Sequence, residues 1–238
     1  AIFLYHSGIS APLNIGLLTP QQVVDAALDY HERNEVNLPS LEGFIRQVIG
    51  WREYVRGLYI TQSVPMRTAN GLNQNRNLSS QWWEGTTGIP PLDDVITKVN
   101  KHAYAHHIER LMVVGNLMLL CEIKPEEAYK WFASMFIDAY DWVMVPNVYG
   151  MSQFSDLGSM VTKPYISGSN YILNMSHYQK DIWCDVWDGL FWGFVDRNKE
   201  VLAKNPRTSV MVKQLGKLNA DRKRIIGYRA QDFLTSIS

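Results

Sequence analysis

The chain has 238 residues, 46% of them hydrophobic and 12% aromatic, enough to bury one large core and read here as one domain spanning residues 1–238. Its 23 basic and 23 acidic side chains balance, which excludes a histone-like polyanion binder and leaves any contact with nucleic acid or an anionic membrane to a local patch. The two cysteines, Cys121 and Cys184, belong to no CxxC pair, which excludes a disulfide framework and a structural zinc site and suits a reducing cytoplasm.

The first residues, AIFLYHSGIS, are apolar but lack the basic start and length of a signal peptide, and no run of about 18 apolar residues suggests a membrane span. The missing initiator Met is what an excised fragment of a longer protein would show. Thr19-Pro20-Gln21-Gln22 sets an N-cap threonine before Pro and a Gln three residues on, predicting an amphipathic helix through about Glu32. Ser40 is expected to cap the next helix, where Phe44, Val48, Trp51, Val55 and Leu58 recur at helical spacing. The polar stretch from Thr61 to Gly88 reads as an irregular crossing. Helices follow over about Leu92 to Lys101, Ala105 to Leu120 and Pro125 to Phe136. From Asp138 to Tyr178 the segments PNVYG, SDLGS and TKPYISGS predict long ordered loops of the kind that carry function. Helices resume at about Trp183 to Ala203 and from Asn219, a predicted cap, to Leu234. No strand alternation persists, so the expected class is all-α, a multi-helix domain with long ordered loops.

Three groups of residues could carry chemistry. Ser7, Gly8 and Ser10 lie in a loop before a capped helix, where backbone N–H groups, hydroxyls and the helix dipole suit phosphate oxygens; an ordinary capped turn has the same pattern. In YAHHIERLM, His107 and Arg110 share one helical face at i and i+3, with His106 turned away. A histidine there can move a proton near neutral pH and an arginine can hold a carboxylate or a ring edge, while adjacent helical histidines diverge and no HExxH-like partner follows, so no metal is expected. Asp138, after the next helix, is a natural partner for Arg110; a simple buried salt bridge would use both without any ligand. The eight Trp and twelve Tyr residues decide nothing by themselves.

Taken together, HSGISAPLNIGLL, EGFIRQVIGWREYVRGLY, WWEGTTG, YAHHIERLMVVGN, DAYDWVMVPNVYGMSQFSD, TKPYISGSNYILNMSHY and LFWGFVDRN resemble the C-terminal, FAD-binding domain of the photolyase and cryptochrome superfamily. The likeness is narrower to the bacterial branch of (6-4) photolyases and proteobacterial cryptochromes, and spans residues 5 to about 198. It implies a helical domain holding FAD in a U-shape, preceded in the full-length protein by an α/β antenna domain absent from this chain. By position, His6, Ser7, Gly8, Ile9 and Ser10 would meet the phosphates with Leu13 alongside. Gln47 and Arg52 would come from the second long helix, and His107, Arg110, Asp138 and Tyr140 would frame the flavin ring. For repair, the resemblance implies electron transfer from light-excited reduced FAD to a flipped-out pyrimidine lesion, with damaged DNA as partner. His106 and His107 match the motif histidines, Tyr165 a lesion-pocket tyrosine, Trp51 borders the cavity, and Lys163 and Arg67 could add phosphate contacts.

The chain departs from that branch in three places. Four cysteines normally hold its [4Fe-4S] cluster; here Pro91 stands at the first position and QKDIWCDVWDG replaces the later two-cysteine knuckle and a following Cys-Pro, leaving Cys184 nearby. One thiolate cannot hold a four-iron cube, so no iron–sulfur cluster is expected. Met144 occupies the place of a glutamate beside flavin N5, and Phe132 stands where a tyrosine often follows the tryptophan of an electron-transfer chain, although Trp83 and Trp131 keep matching positions. The expected function is therefore that of an FAD-binding, light-responsive protein, either a (6-4)-type DNA photolyase or a cryptochrome-like blue-light receptor. The alternatives are a cofactor-free helical module of the same fold that binds DNA or protein, and a structural fragment with residues Ala1 to Tyr5 marking a severed interface.

Overall fold

The computed structural model describes residues 7–238, so His6 and the apolar start Ala1 to Tyr5 lie outside the described residues. Helix follows helix: α1 (Ser10–Asn14), α2 (Pro20–Arg33), α3 (Leu38–Arg46), α4 (Arg52–Thr68), α5 (Gln81–Glu84), α6 (Pro90–His102) and α7 (Asn116–Leu120) fill the first half. The second half holds α8 (Pro125–Met135), α9 (Asp141–Val145), α10 (Ser169–Met175), α11 (Ile182–Arg197), α12 (Lys199–Ala203), α13 (Pro206–Leu215) and α14 (Ala220–Ser236). Among the described residues β-pairing is confined to an isolated parallel bridge, Arg76 with Ile123. The all-α class stands.

Local chemistry sets several helix ends. Thr19 accepts the Gln22 N–H while the Gln22 side chain accepts the Thr19 N–H, the reciprocal capping box that the sequence spells out. Asn219 accepts the N–H groups of Asp221 and Arg222 at the start of α14. Ser40 is not a cap: α3 begins two residues earlier, after Asn37, because Pro39 fits its first turn. The crossing expected from Thr61 also starts later, since α4 continues to Thr68 with Pro65 in its last turns. The helix over Pro206–Leu215, with the Asn205 side chain accepting the Arg207 N–H, was not expected from sequence. Within the segment expected to be loops, Asp141–Val145 and Ser169–Met175 are helical.

Three five- to seven-residue stretches wind as π-helix: Gln47–Trp51, Glu109–Gly115 and Pro146–Ser152. Such wide turns are rare and concentrate at functional sites, because each adds a residue that re-aims the side chains beyond it. The main core gathers Trp82, Leu117, Met118, Leu120, Trp131, Trp187 and Phe194, while a second cluster gathers Val55, Met66, Leu111, Val145, Tyr149 and Met160; Tyr129 packs on both. Helix α11 is apolar nearly all round, as a helix surrounded by protein must be. It crosses α14 at Gly189, where a Cβ would stand 2.0 Å from the Ile226 carbonyl oxygen, so only glycine permits that approach.

Candidate functional site

All three π-stretches and both short helices α1 and α9 converge on one cavity of about 310 Å³, the lower end of the range for ligand pockets. Trp51, Val55, Leu111, Phe132, Met144 and Val148 give it apolar walls, and Ser10, Asn14, Arg52, His107, Arg110 and Asp138 supply the polar groups. A continuous hydrogen-bond chain joins Ser10, Asn14, Arg52, Arg110 and Asp138, although Ser10 and Asp138 lie 128 positions apart. Arg110 donates from Nη1 and Nη2 to the two Asp138 carboxylate oxygens at 2.8 and 3.1 Å, and from Nε to the Ala105 carbonyl at 2.8 Å. The Ser10 hydroxyl donates to Asp138 Oδ2 at 2.8 Å and Asn14 Nδ2 donates to the Asp138 carbonyl at 2.7 Å. Asn14 in turn accepts from Arg52 Nη1 at 2.8 Å, and Leu13 accepts from Arg52 Nη2 at 3.1 Å through its carbonyl.

The two arginines differ in electrostatic state. Arg110 is neutralised by Asp138 and packed on aromatic faces, 5.0 Å from the Tyr104 ring and 4.0 Å from that of Phe136. Arg52 lies 5.0 Å over the Trp142 ring and forms no carboxylate ion pair among the described residues. Burial lowers its pKa from the ordinary arginine value, with nearby Glu53 opposing. A half-buried cation in a cavity wall with no carboxylate in direct contact is a place where an anionic group of a ligand can bind.

His107 opens on the cavity. Although its ring presents surface there, crowding by protein lowers its pKa, and the neighbouring Arg110 and His106 push in the same direction. His106 is not part of the cavity lining: its Nδ1 accepts the Ile108 N–H at 3.0 Å, and its backbone N–H donates to Glu109 Oε2 at 3.0 Å. Met144 is 5% exposed and lines the wall near Val148 and Phe132.

Other residues singled out from sequence stand off the cavity. Ser7, Gly8 and Gln47 are exposed, Ile9 is half-buried, and Leu13 takes part through its carbonyl. Tyr140 is exposed and its carbonyl accepts the N–H groups of Val143 and Met144 in α9. Tyr165 is exposed on the loop before α10. Trp131 is fully buried, donates from Nε1 to the Trp82 carbonyl at 2.8 Å, and meets the cavity-lining Phe132 edge to face at 5.1 Å; Trp83 is at the surface. Arg67 is engaged by Asp141, which also accepts the hydroxyls of Tyr59 and Tyr129. Sequence reasoning missed Asn14, Trp142 and Asn147 as wall residues, though Asn14 sits one helical turn beyond Ser10 and carried that hint.

The residues 44–181, which carry most of this wall, match the family described as the FAD binding domain of DNA photolyase. The chain is also 37% identical over 249 aligned residues to a (6-4) photolyase of Agrobacterium fabrum, an alignment covering 98% of this chain and 48% of that protein. This chain belongs to the photolyase and cryptochrome superfamily. It spans about half the length of that photolyase. Shorter likenesses are to two mimivirus proteins of Acanthamoeba polyphaga mimivirus, the uncharacterized protein R855 (49% identical, 37% of this chain, 72% of that one) and R853 (44%, 40% and 73%).

As an FAD-binding domain of this superfamily, the chain has a cavity whose donor set fits the cofactor's chemistry. A flat aromatic ring suits the apolar walls, and a pyrophosphate suits the uncompensated Arg52. Both cysteines are buried, and burial pushes the Cys121 thiol far above the usual thiol range. Among the described residues no three His, Cys, Asp or Glu side chains gather as a metal-ligand group, and no helix is long and apolar enough to cross a membrane.

Proposed function

We propose that this chain is the flavin-holding half of a light-driven DNA photolyase of the (6-4) type, with FAD in the cavity bounded by Ser10, Arg52, Arg110 and Asp138. The observation that carries this reading is the joining of an uncompensated arginine and a neutralised Arg110–Asp138 pair in one apolar cavity. When bound, FAD supplies light absorption and a transferable electron. The chain's own residues do the rest. The Arg110–Asp138 pair orients the ring edge, Ser10 and Asn14 fix Asp138, and Met144, Phe132 and Val148 exclude water. His107, neutral at physiological pH and open to the cavity, accepts or returns a proton at a bound pyrimidine. Trp51 and Tyr54, whose rings meet at 5.6 Å, form an exposed aromatic edge on which an extruded base can stack.

In the full-length protein an α/β domain would precede this one, and two buried free thiols suit a cytoplasmic setting. Pro91 and the lone Cys184 support a protein without an iron–sulfur cluster; iron determination on chain purified without oxygen tests this, and four irons per chain would refute it. The decisive experiment on function is the absorption spectrum of the purified chain, repeated after illumination with an electron donor in the presence of (6-4)-damaged DNA. Flavin absorption with light-dependent loss of the lesion is expected. A colourless chain with no gain of flavin on incubation would overturn the cofactor assignment, and a yellow chain that leaves the lesion intact would leave a photoreceptor in place of a repair enzyme.

A further inference from the structure

Resting on that reading, we propose that His106 is a positioning residue, the N-cap of the helix that carries His107 and Arg110, and that its imidazole moves no proton in the reaction. Continuous helix runs from His107 through the π-stretch Glu109–Gly115 to Leu120. His106 stands immediately before it in non-helical backbone, and its carbonyl accepts the Arg110 N–H at 3.0 Å, the bond that opens the helix. The first turn of a helix leaves N–H groups without intrahelical acceptors. Here the His106 ring supplies one: Nδ1 accepts the Ile108 N–H at 3.0 Å. Glu109 closes the pair in the other direction, its Oε2 accepting the His106 backbone N–H at 3.0 Å. This is the reciprocal arrangement of a capping box, with histidine where serine or threonine usually stands and the cap bond made to the second helical N–H.

The box is anchored from both sides. Lys98 of α6 holds the other Glu109 oxygen, Oε1, and both side chains of that pair are largely covered. From within the helix, Arg110 Nε reaches back to the Ala105 carbonyl at 2.8 Å. These bonds fix the angle at which the chain enters the helix, and with it the side chains at the first and fourth helical positions. Those are His107 and Arg110, which line the cavity, whereas His106 does not.

The cap also dictates the state of the ring. An Nδ1 that accepts an N–H must keep its lone pair, so the neutral imidazole carries its proton on Nε2. Gaining a proton at Nδ1 would set a donor against the Ile108 N–H and open the cap. Losing the Nε2 proton from the neutral ring would leave an imidazolate. Capping and proton transfer are therefore exclusive roles for this side chain.

Substitution separates them. Asparagine Oδ1 stands as many bonds from the backbone as histidine Nδ1 and caps well, but does not titrate; alanine neither caps nor titrates. His106→Ala should lower the thermal midpoint by about 2–4 °C, the effect of one lost cap in a domain of this size, and should slow light-driven loss of a (6-4) lesion in the flavin-loaded chain. His106→Asn should recover most of both and keep the pH profile of repair. Were His106 a proton donor, Asn would be as damaging as Ala, with a loss on the order of 10²–10⁴-fold in rate, and the proposal would be overturned. Glu109→Gln, which still offers an oxygen to the His106 N–H, should retain what Glu109→Ala loses.

Two readouts need neither flavin nor repair. Nitrogen NMR of the imidazoles should find His106 neutral at neutral pH with its proton on Nε2; a proton on Nδ1 would overturn the cap. The His107 pKa, held below the ordinary histidine value in the unaltered chain, should rise toward that value in His106→Ala and stay low in His106→Asn. An equal rise in both variants would sink the positioning role. A colourless chain, or an intact lesion after illumination of the unaltered protein, would refute the function proposed above and leave these two measurements to decide on His106.

Discussion

Asp138 grips Arg110 at two points, 2.8 and 3.1 Å, and the carboxylate oxygen that receives the longer bond also receives the Ser10 hydroxyl. With the side chains only 8% and 15% exposed, removing one partner leaves the other charge buried. Asp138→Ala or Arg110→Ala should cost about 3–5 kcal/mol, whereas the double change Arg110→Met with Asp138→Leu should cost less than either single change. At roughly 2–4 °C per kcal/mol for a domain of this size, thermal unfolding reads the difference. Equal additive losses would show that the pair is not coupled.

How much of this was legible in the sequence depends on how local each cause is. The Thr19 capping box and the Asn219 cap are fixed by residues three apart, so the text of the sequence contains them whole. Asn205-Pro206 carries the same kind of marker and opens α13, but the apolar face behind it is too short to predict a helix by periodicity. Ser40 lies inside α3 because Pro39, a first-turn residue, outweighs a serine in setting the start. The π-stretches have no local code: Glu109–Gly115 and Pro146–Ser152 wind widely where two segments must touch, and that contact joins residues far apart. Arg110 with Asp138 was anticipated, but the uncompensated state of Arg52 and the gathering of Tyr59, Arg67 and Tyr129 on Asp141 are products of tertiary packing alone.

That contact makes Gly115 a point of strain on substitution. A Cβ there would stand 2.2 Å from Ser152 Oγ and 3.1 Å from the Arg110 carbonyl. Gly115→Ala should force the two π-stretches apart and cost about 1–3 kcal/mol. In Gly115→Ala with Ser152→Ala the nearest obstacle is gone, and most of the loss should return. Chemical denaturation of the single and double variants measures this; a double variant no better than Gly115→Ala would show that the close approach to Ser152 is not the cause.

His107 links stability to pH. Its folded pKa lies below the ordinary histidine value through desolvation first, then Arg110 and His106. The unfolded chain therefore binds the proton more readily, and stability falls as pH drops below about 6.5, the unfolded value. His107→Gln should flatten this part of the stability curve while leaving the region above pH 7 in place. An unaltered slope between pH 7 and 5 would remove His107 from that role.

Asp141 should act in a lower window. Burial alone would raise its pKa, but hydrogen bonds from Tyr129, Tyr59 and Arg67 outweigh burial and hold it below the usual carboxylate value. A depressed folded pKa contributes stability above about pH 4 that is lost as pH falls through the folded value. Asp141→Asn should therefore destabilise the chain at neutral pH and shrink the acid limb of its unfolding curve. The same change releases Arg67, which lies 5.5 Å from the centre of the Tyr129 ring. Tyr129 fluorescence is heavily masked by the eight tryptophans, so pH-dependent thermal midpoints are the better measurement, and coincident acid limbs for the two proteins would count against the assignment.

Arg52 separates binding of the ring from binding of the phosphates. Riboflavin and FAD share the isoalloxazine ring, but only FAD carries the pyrophosphate that the uncompensated guanidinium would receive. A ligand specific for the folded state at a hundred times its Kd adds about 2.7 kcal/mol of stability, so both compounds should raise the thermal midpoint of cofactor-stripped chain in proportion to their affinity, FAD more than riboflavin. Arg52→Gln can still donate to Asn14 but carries no charge. It should cut the FAD increment toward that of riboflavin and leave the riboflavin increment nearly unchanged, whereas Asp138→Asn should reduce both. If Arg52→Gln lowered the two increments equally, the guanidinium would be supporting the cavity wall through Asn14 and Leu13 and not meeting phosphate.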